Sequence, residues 1–429
     1  MKKILIGLCL ILLIAAGNFW YNQRSRVLGD STNISSITTF WPNQCIDTMK
    51  HSRDAARQFL ADQVQAQSFI TNEVEVVKNL GANCVAIDTP YDEEFSPVLR
   101  MWVDSAHLAG LNVWLRGNFS GWEGWFDYPK FTSEEQHHIA LQKFLVNHSE
   151  LFREGDIITP APEAENGIIG NPWESQDRQV RLRNFLVKSY QVCNKTLADV
   201  GKSKVSCGYF SANGDVAEKI LDPITIAQTG GVVVIDHYIS SIERMNNDIE
   251  RLGAVQKAKV AIGEFGAPIP DINGDMTQQQ QADFVRGLLN SFYVHKSNIS
   301  LINYWVLRSG TTALLNDDGS RRLVAEAIAD YYQPGLLYGR VVNSLGDPVA
   351  GAIITTSDRA QTLYADSNGW FSIVLPAGQA ELKISAPDYN ELAFSKNIDR
   401  NSQINSDIQL IPTNPSWWYR QKMRIKQVF

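Results

Sequence analysis

Lys259-Val-Ala-Ile-Gly-Glu264-Phe-Gly266 decides the fold. It is an apolar run of strand length that halts on a single acidic residue before a loop rich in glycine and proline. A run apolar on both faces reads as a buried parallel strand, and a carboxylate at its end is placed where parallel α/β folds carry their chemistry. About a hundred residues earlier, Asp156-Ile-Ile-Thr-Pro-Ala-Pro-Glu163-Ala-Glu165-Asn166 ends on carboxylates in the same way.

Outward from these two, short β-rich runs alternate with amphipathic stretches. The strands expected are 34–41, 84–88, 112–116, 156–162, 204–210, 231–236, 259–264 and 301–306. Helical spacing marks 55–80, 97–109, 134–148, 175–200, 278–295 and 321–332, with weaker signals after the fifth and sixth strands. Eight such units and no Gly-rich phosphate turn after the first strand predict an α/β fold, a (β/α)8 TIM barrel over residues 33–334. After Pro334-Gly335 the helical period stops. β-Rich runs between Gly, Asp, Asn and Pro turns predict a small all-β sandwich over 336–413, followed by an aromatic and basic tail, 414–429.

Met1-Lys-Lys, the apolar run Ile4 to Gly17, and Phe19-Trp20-Tyr21 with Arg24 and Arg26 form an export signal over residues 1–26. Its apolar length, about 18 residues, suits an uncleaved membrane anchor, while Ala15-Ala16-Gly17 leaves cleavage and secretion open. Either way, the bulk of the chain is expected outside the cytoplasm, with the membrane as a partner through this segment. Cys45, Cys84, Cys193 and Cys207 are too few for a disulfide framework in a chain of 429 residues; they read as buried free thiols, with the pairing of any bridge left open.

A net charge of −7 gives no basic footprint, so no nucleic-acid partner is expected. No His-x-His, His-Glu-x-x-His, Cys-x-x-Cys or Gly-x-Ser-x-Gly pattern occurs, so neither a metal, a cofactor nor a serine nucleophile is expected. Eleven Trp and fourteen Tyr suit a cleft that stacks on sugars.

Two strand-end carboxylates suit cleavage of a glycosidic bond. Glu264 would be the nucleophile and Glu163 the proton donor. Glu163 is preferred to Glu165, which alternation would put on the same face, because it lies deeper along the run. Glu165 and Asn166 would then contact substrate hydroxyls or simply hold the loop. After the third strand, Arg116-Gly-Asn118-Phe-Ser-Gly-Trp122-Glu-Gly-Trp125 combines a charge, an amide and two indoles, a set suited to saccharide binding; Arg116 could instead orient Glu264.

The run Gly339-Arg-Val-Val-Asn-Ser-Leu-Gly346-Asp-Pro348-Val-Ala-Gly351, with Ala365-Asp-Ser-Asn-Gly369-Trp-Phe371 and Ala386-Pro-Asp-Tyr389, resembles the carboxypeptidase regulatory-like domain, which implies a non-catalytic module. Over about residues 34–333 the chain resembles the clan A glycoside hydrolases, through Ile262-Gly-Glu264-Phe-Gly266 at the seventh strand, Asp236-His237-Tyr238 at the sixth and Trp305 in Asn303-Tyr-Trp305 at the eighth. The resemblance implies retaining hydrolysis of an extracellular oligo- or polysaccharide. It assigns Glu163 and Glu264 to catalysis and His237, Tyr238 and Trp305 to substrate. Clan members carry Asn immediately before the acid; here Pro162 precedes Glu163 and Ala164 precedes Glu165. The competing reading is a catalytically inactive surface protein that binds carbohydrate.

Overall fold

In the computed structural model, residues 39–357 and 361–426 are described; the expected export segment lies outside them. Nine parallel strands form one sheet: β1 (Asn43–Asp47), β2 (Cys84–Ile87), β3 (Asn112–Leu115), β4 (Ile157–Ile158), β5 (Ser206–Cys207), β6 (Ser211–Asn213), β7 (Val232–Asp236), β8 (Lys259–Phe265) and β9 (Ile299–Tyr304). The order is β5-β4-β3-β2-β1-β9-β8-β7-β6. β5 and β6 are successive stretches of one pass, β5 paired to β4 and β6 to β7, so the sheet curls into a TIM-like barrel of eight passes. The expected fifth strand is split because Gly208 (φ 120°) and Tyr209 (φ 54°) turn the chain out of extended geometry.

The first strand lies later than its residues suggested. Trp41 precedes it and is fully buried, and β1 begins after Pro42, with two polar residues, Asn43 and Gln44, at its head. Residues 34–38 of the expected strand lie outside the described residues.

Alternation along the strands sorts the core into two shells. Cys45, Cys84, Ala86, Trp114, Ile157, Val234, Ala261 and Leu301 fill the barrel interior. Ile46, Val85, Ile87, Val113, Leu115, Ile158, Val233, Ile235, Ile262 and Ile302 face outward against the surrounding helices. Cys45 and Cys84 are direct partners in the β1–β2 register, and their side chains form a disulfide inside the barrel; Cys193 and Cys207 form a second, tying helix Gln176–Asp199 to β5. The free-thiol reading is therefore corrected: adjacent parallel strands bring Cys45 and Cys84 to a Cα separation of 4.4 Å.

The second unit has its own core, including Leu337, Val341, Ile354, Phe371, Ile373, Leu382, Ile384 and Leu410, between a sheet around Gly335–Asn343 and an antiparallel sheet running through Ile353–Thr356, Gly378–Ser385 and Leu392–Ile398. Only Gln333 and Pro334 separate it from helix Leu323–Tyr332. That joint is clamped by Arg400, which donates to Asp330 (2.6 Å) and Glu326 (2.7 Å) of the helix.

At the N-terminal end of the barrel, the Gln44 amide donates to the Gly81 carbonyl (2.6 Å) and the Tyr332 carbonyl (2.8 Å), joining β1 to the ends of two helices. Gln44→Leu strands both carbonyls, and a loss of roughly 1–3 kcal/mol in urea unfolding is expected.

Candidate active site

The polar residues of the site lie one step above the apolar interior. Two residues after each inward-facing Cys45, Ala86, Trp114, Ile157, Val234 and Leu301 stand Asp47, Asp88, Arg116, Thr159, Asp236 and Asn303. The strand period alone therefore forms a polar ring at the C-terminal mouth. Ala261 is followed at the same spacing by Gly263, where a Cβ would meet the Asp236 carboxylate at 2.3 Å; the strand needs glycine there.

Strict alternation would then point Glu264 outward. The pairing of β8 shifts register on both sides, against β7 between Ile235 and Asp236 and against β9 between Ile262 and Phe265. The irregularity turns Glu264 into the mouth and returns Phe265 to the outer core, the re-aiming that a bulge allows.

Arg116 is the centre of the ring. Only 3% exposed, it donates to Asp47 Oδ2 at 2.7 Å and to Glu264 Oε1 at 2.9 Å, stands 3.6 Å from Asp236, and lies over the Trp114 ring. The Tyr238 hydroxyl donates to the other oxygen of Glu264 at 2.8 Å. Asn303 donates to Asp47 Oδ2 (3.0 Å) and to the Gly263 carbonyl (2.9 Å), fixing both the partner of Arg116 and the backbone leading to Glu264. One cation thus faces four carboxylates. Burial, then the Glu264 charge, pushes Asp236 well above the usual carboxylate range; burial, then Asp47, does the same to Asp88. Burial also raises Glu264, opposed chiefly by Arg116.

A second carboxylate group faces the first. Glu163 does not continue a strand: β4 is two residues long, and Glu163 adopts φ 42°, ψ 49° at the head of a short turn, Ala164–Asn166. Its N–H donates to the Ser211 carbonyl of β6 at 3.0 Å. The same-face argument for Glu163 and Glu165 therefore fails, but the turn still gathers them. The Glu163 charge acts on Glu264 and Asp236, and it also acts on Glu165 and Glu123. Glu165 is pushed up to about 7, by burial first, and Glu123 to about 7 by burial and then Glu163. Asn166 is exposed and its amide stands 3.4 Å from Glu163.

The remaining expected site residues divide. Tyr238 and Trp305 meet edge to face at 6.1 Å beside Glu264, with Lys50 5.4 Å from the Trp305 ring. Trp125 is half-buried under Arg53, 4.7 Å from its ring. Trp122, Asn118 and His237, by contrast, are packing residues. Trp122 is fully buried, stacks on Phe185 at 4.5 Å and donates to the Ala164 carbonyl; Gly167 leaves room for its indole, which a Cβ would strike at 2.1 Å. Asn118 is fully buried and accepts from the Phe119 N–H, 3.1 Å from His137, which burial holds down to about 3 and therefore neutral. His237 turns away from the mouth to Asp248 at 2.9 Å, against helix Ile242–Gln256.

Asp47 and Glu123 escape the sequence reading. Asp47 ends a strand expected upstream, and Glu123 sits between two tryptophans that draw the functional assignment to themselves. Among the described residues no cluster of His, Cys, Asp and Glu has the arrangement of a metal site.

Residues 337–410 match the model of the carboxypeptidase regulatory-like domain. No curated protein matches the chain. Solved structures that resemble it include a GH5-4 broad specificity endoglucanase from Clostridium longisporum (15% identity, 61% of this chain and 85% of that one, TM-score 0.46). A GH5-4 broad specificity endoglucanase from Clostridium acetobutylicum also resembles it (12%, 60% and 89%, TM-score 0.47). So does a Bacteroides ovatus GH5 xyloglucanase in complex with a XXXG heptasaccharide (14%, 61% and 67%, TM-score 0.44).

Trp122→Ala is expected to cost roughly 3–5 kcal/mol in denaturant unfolding, as a buried stacked indole should, whereas Trp125→Ala, at the half-buried rim, costs under about 1 kcal/mol. Carboxyls raised on folding stabilise the native state in their protonated form. That contribution is complete below the unfolded value of about 4.3 and is lost as the pH climbs through the folded value. With Glu165 and Glu123 both at about 7, unfolding free energy is expected to fall between pH 5 and pH 8, and Glu165→Gln to flatten that slope.

Proposed function

We propose that the chain is a retaining glycoside hydrolase acting on an extracellular oligo- or polysaccharide, held at the membrane by its N-terminal segment or secreted. The observation that carries the reading is Glu264, a strand-end carboxylate in the barrel mouth with one oxygen on a buried arginine and the other on a tyrosine hydroxyl, opposite a second carboxylate group.

In the first step a Glu264 oxygen bonds to the anomeric carbon and the glycosidic C–O bond breaks. The departing oxygen takes the bond pair and the proton of Glu163. Burial of Glu264 keeps it poorly hydrated and nucleophilic, while Arg116 and Tyr238 hold its orientation through both oxygens. In the second step water attacks the same carbon, its proton passes to Glu163, and the bond to Glu264 breaks to release the sugar. The Glu163 charge acting on Glu264 supports reading it as the partner. Glu165 and Glu123, both pushed up to about 7 with burial as the first cause, stand in the same carboxylate group as Glu163. Trp305, Tyr238 and Trp125 offer ring faces along the mouth for pyranose stacking. No cofactor is required.

The test is turnover of aryl glycosides and polysaccharides by the wild type beside Glu264→Gln, Glu163→Gln and Glu165→Gln. Glu264→Gln is expected to abolish turnover. Glu163→Gln should lose roughly 10²–10⁴-fold with poor leaving groups, and far less with dinitrophenyl glycosides, whose leaving oxygen needs no proton. The same signature in Glu165→Gln instead transfers the acid role to Glu165. Measurable oligosaccharide binding with no turnover of any substrate replaces the hydrolase by a surface carbohydrate-binding protein.

A further inference from the structure

The last described helix, Trp417–Lys426, differs from the rest of the molecule in exposure and charge. Its sequence, Trp-Trp-Tyr-Arg-Gln-Lys-Met-Arg-Ile-Lys, holds four cations and no acidic residue, in a chain of net charge −7. On one side Tyr419 and Met423, four residues apart, are half-buried, and the Lys426 ammonium donates to the Ser344 carbonyl of the sandwich at 3.3 Å. The other side carries Trp418 and Ile425, seven residues apart and so on one face, 71% and 60% exposed; Trp417, 60% exposed, meets Trp418 edge to face at 4.7 Å.

An indole pair and an isoleucine in line, flanked by Arg420, Lys422 and Arg424 in solvent, are what an interfacial helix presents: rings that enter the headgroup layer and cations that meet anionic lipid. We infer that helix Trp417–Lys426 docks onto the surface of an anionic lipid bilayer. The occupant follows from charge complementarity. A protein partner would have to be both apolar and acidic over this small patch, whereas a bilayer containing anionic lipid supplies both properties over any area. The docking stripe is already exposed, so no rearrangement is needed. Such a contact would set the sandwich against the membrane. The inference does not depend on the hydrolase reading.

The test is hydrogen–deuterium exchange of the full chain, followed in peptides covering 415–426, without lipid, with phosphatidylcholine vesicles, and with vesicles of phosphatidylcholine and phosphatidylglycerol. Peptides from the helix report on its own contact, whatever the N-terminal segment does. Exchange at least about tenfold slower with the anionic vesicles alone is expected, and its loss in 1 M NaCl, where the screening length falls to about 3 Å. The protection should also vanish in Trp418→Ser/Ile425→Ser, whose exposed side chains leave thermal unfolding unchanged. Equal exchange with both vesicles overturns the inference. So does equal protection by an anionic polysaccharide without lipid, which would assign the helix to a wall polymer.

Discussion

The site depends on one buried cation. Among the described residues Arg116 is the one positive charge in the ring that contains Asp47, Asp88, Asp236 and Glu264, and a guanidinium in low-dielectric surroundings is costly unless nearby carboxylates compensate its charge. Asp47 and Glu264 take its two carboxylate hydrogen bonds, and burial pushes the other two carboxyls, Asp88 and Asp236, well above the usual carboxylate range. Asn303 secures this choice from below, since its amide holds Asp47 on the guanidinium side while gripping the carbonyl of Gly263. The charge state of Glu264 is thus set by competition among its neighbours, with burial favouring the proton and Arg116 favouring its loss.

The backbone meets the same demand by breaking the strand period once. β8 could have presented Gly263 to the mouth and sent Glu264 into the apolar layer between sheet and helices. Two register shifts prevent that, and the absence of a Cβ at 263 makes room for the Asp236 carboxylate that the shift brings close. Glycine before the acidic residue and phenylalanine after it are then both accounted for: the first by space, the second by the outer core that Phe265 re-enters against Phe292 and Tyr304.

Where the chain repeats a simple period, its structure was legible. β7, β8 and the helices Glu134–Asn147 and Gln278–Val294 fall within a residue or two of their expected bounds because apolar spacing and caps agree; Ser133 and Thr277 each close a capping box. Legibility failed where tertiary contacts override local pattern. Gln44 in a strand is unfavourable until two distant carbonyls are known, and so β1 was placed too early. Trp122 and Trp125 look alike in a glycine-rich loop; only the arrival of Phe185 from a distant helix makes the first a core residue. His237 follows Asp236 on a strand end, but its partner Asp248 lies a turn and half a helix later, and no strand pattern records that. The ring of polar residues two positions beyond the interior was legible in principle, but Asp47 could be counted only once the first strand was in register.

The turn at Glu163 shows how a short strand can serve the site better than a long one. β4 pairs for two residues, after which Pro160 and Pro162 remove backbone donors that a longer ladder would need. The freed chain crosses to β6, where the Glu163 N–H finds the Ser211 carbonyl, bridging the place where β5 and β6 leave the sheet unpaired. Left-handed backbone at a glutamate costs on the order of 1 kcal/mol, and it persists where surrounding bonds over-determine it. Here those bonds are the contact to Ser211 and the Asn166 N–H to the Glu163 carbonyl at 2.9 Å. An extended Glu163 would have carried Glu165 along the same strand face, one carboxylate behind the other. The turn gathers them in one loop instead, with the Glu163 charge acting on Glu264 and Glu165 pushed up to about 7, by burial first.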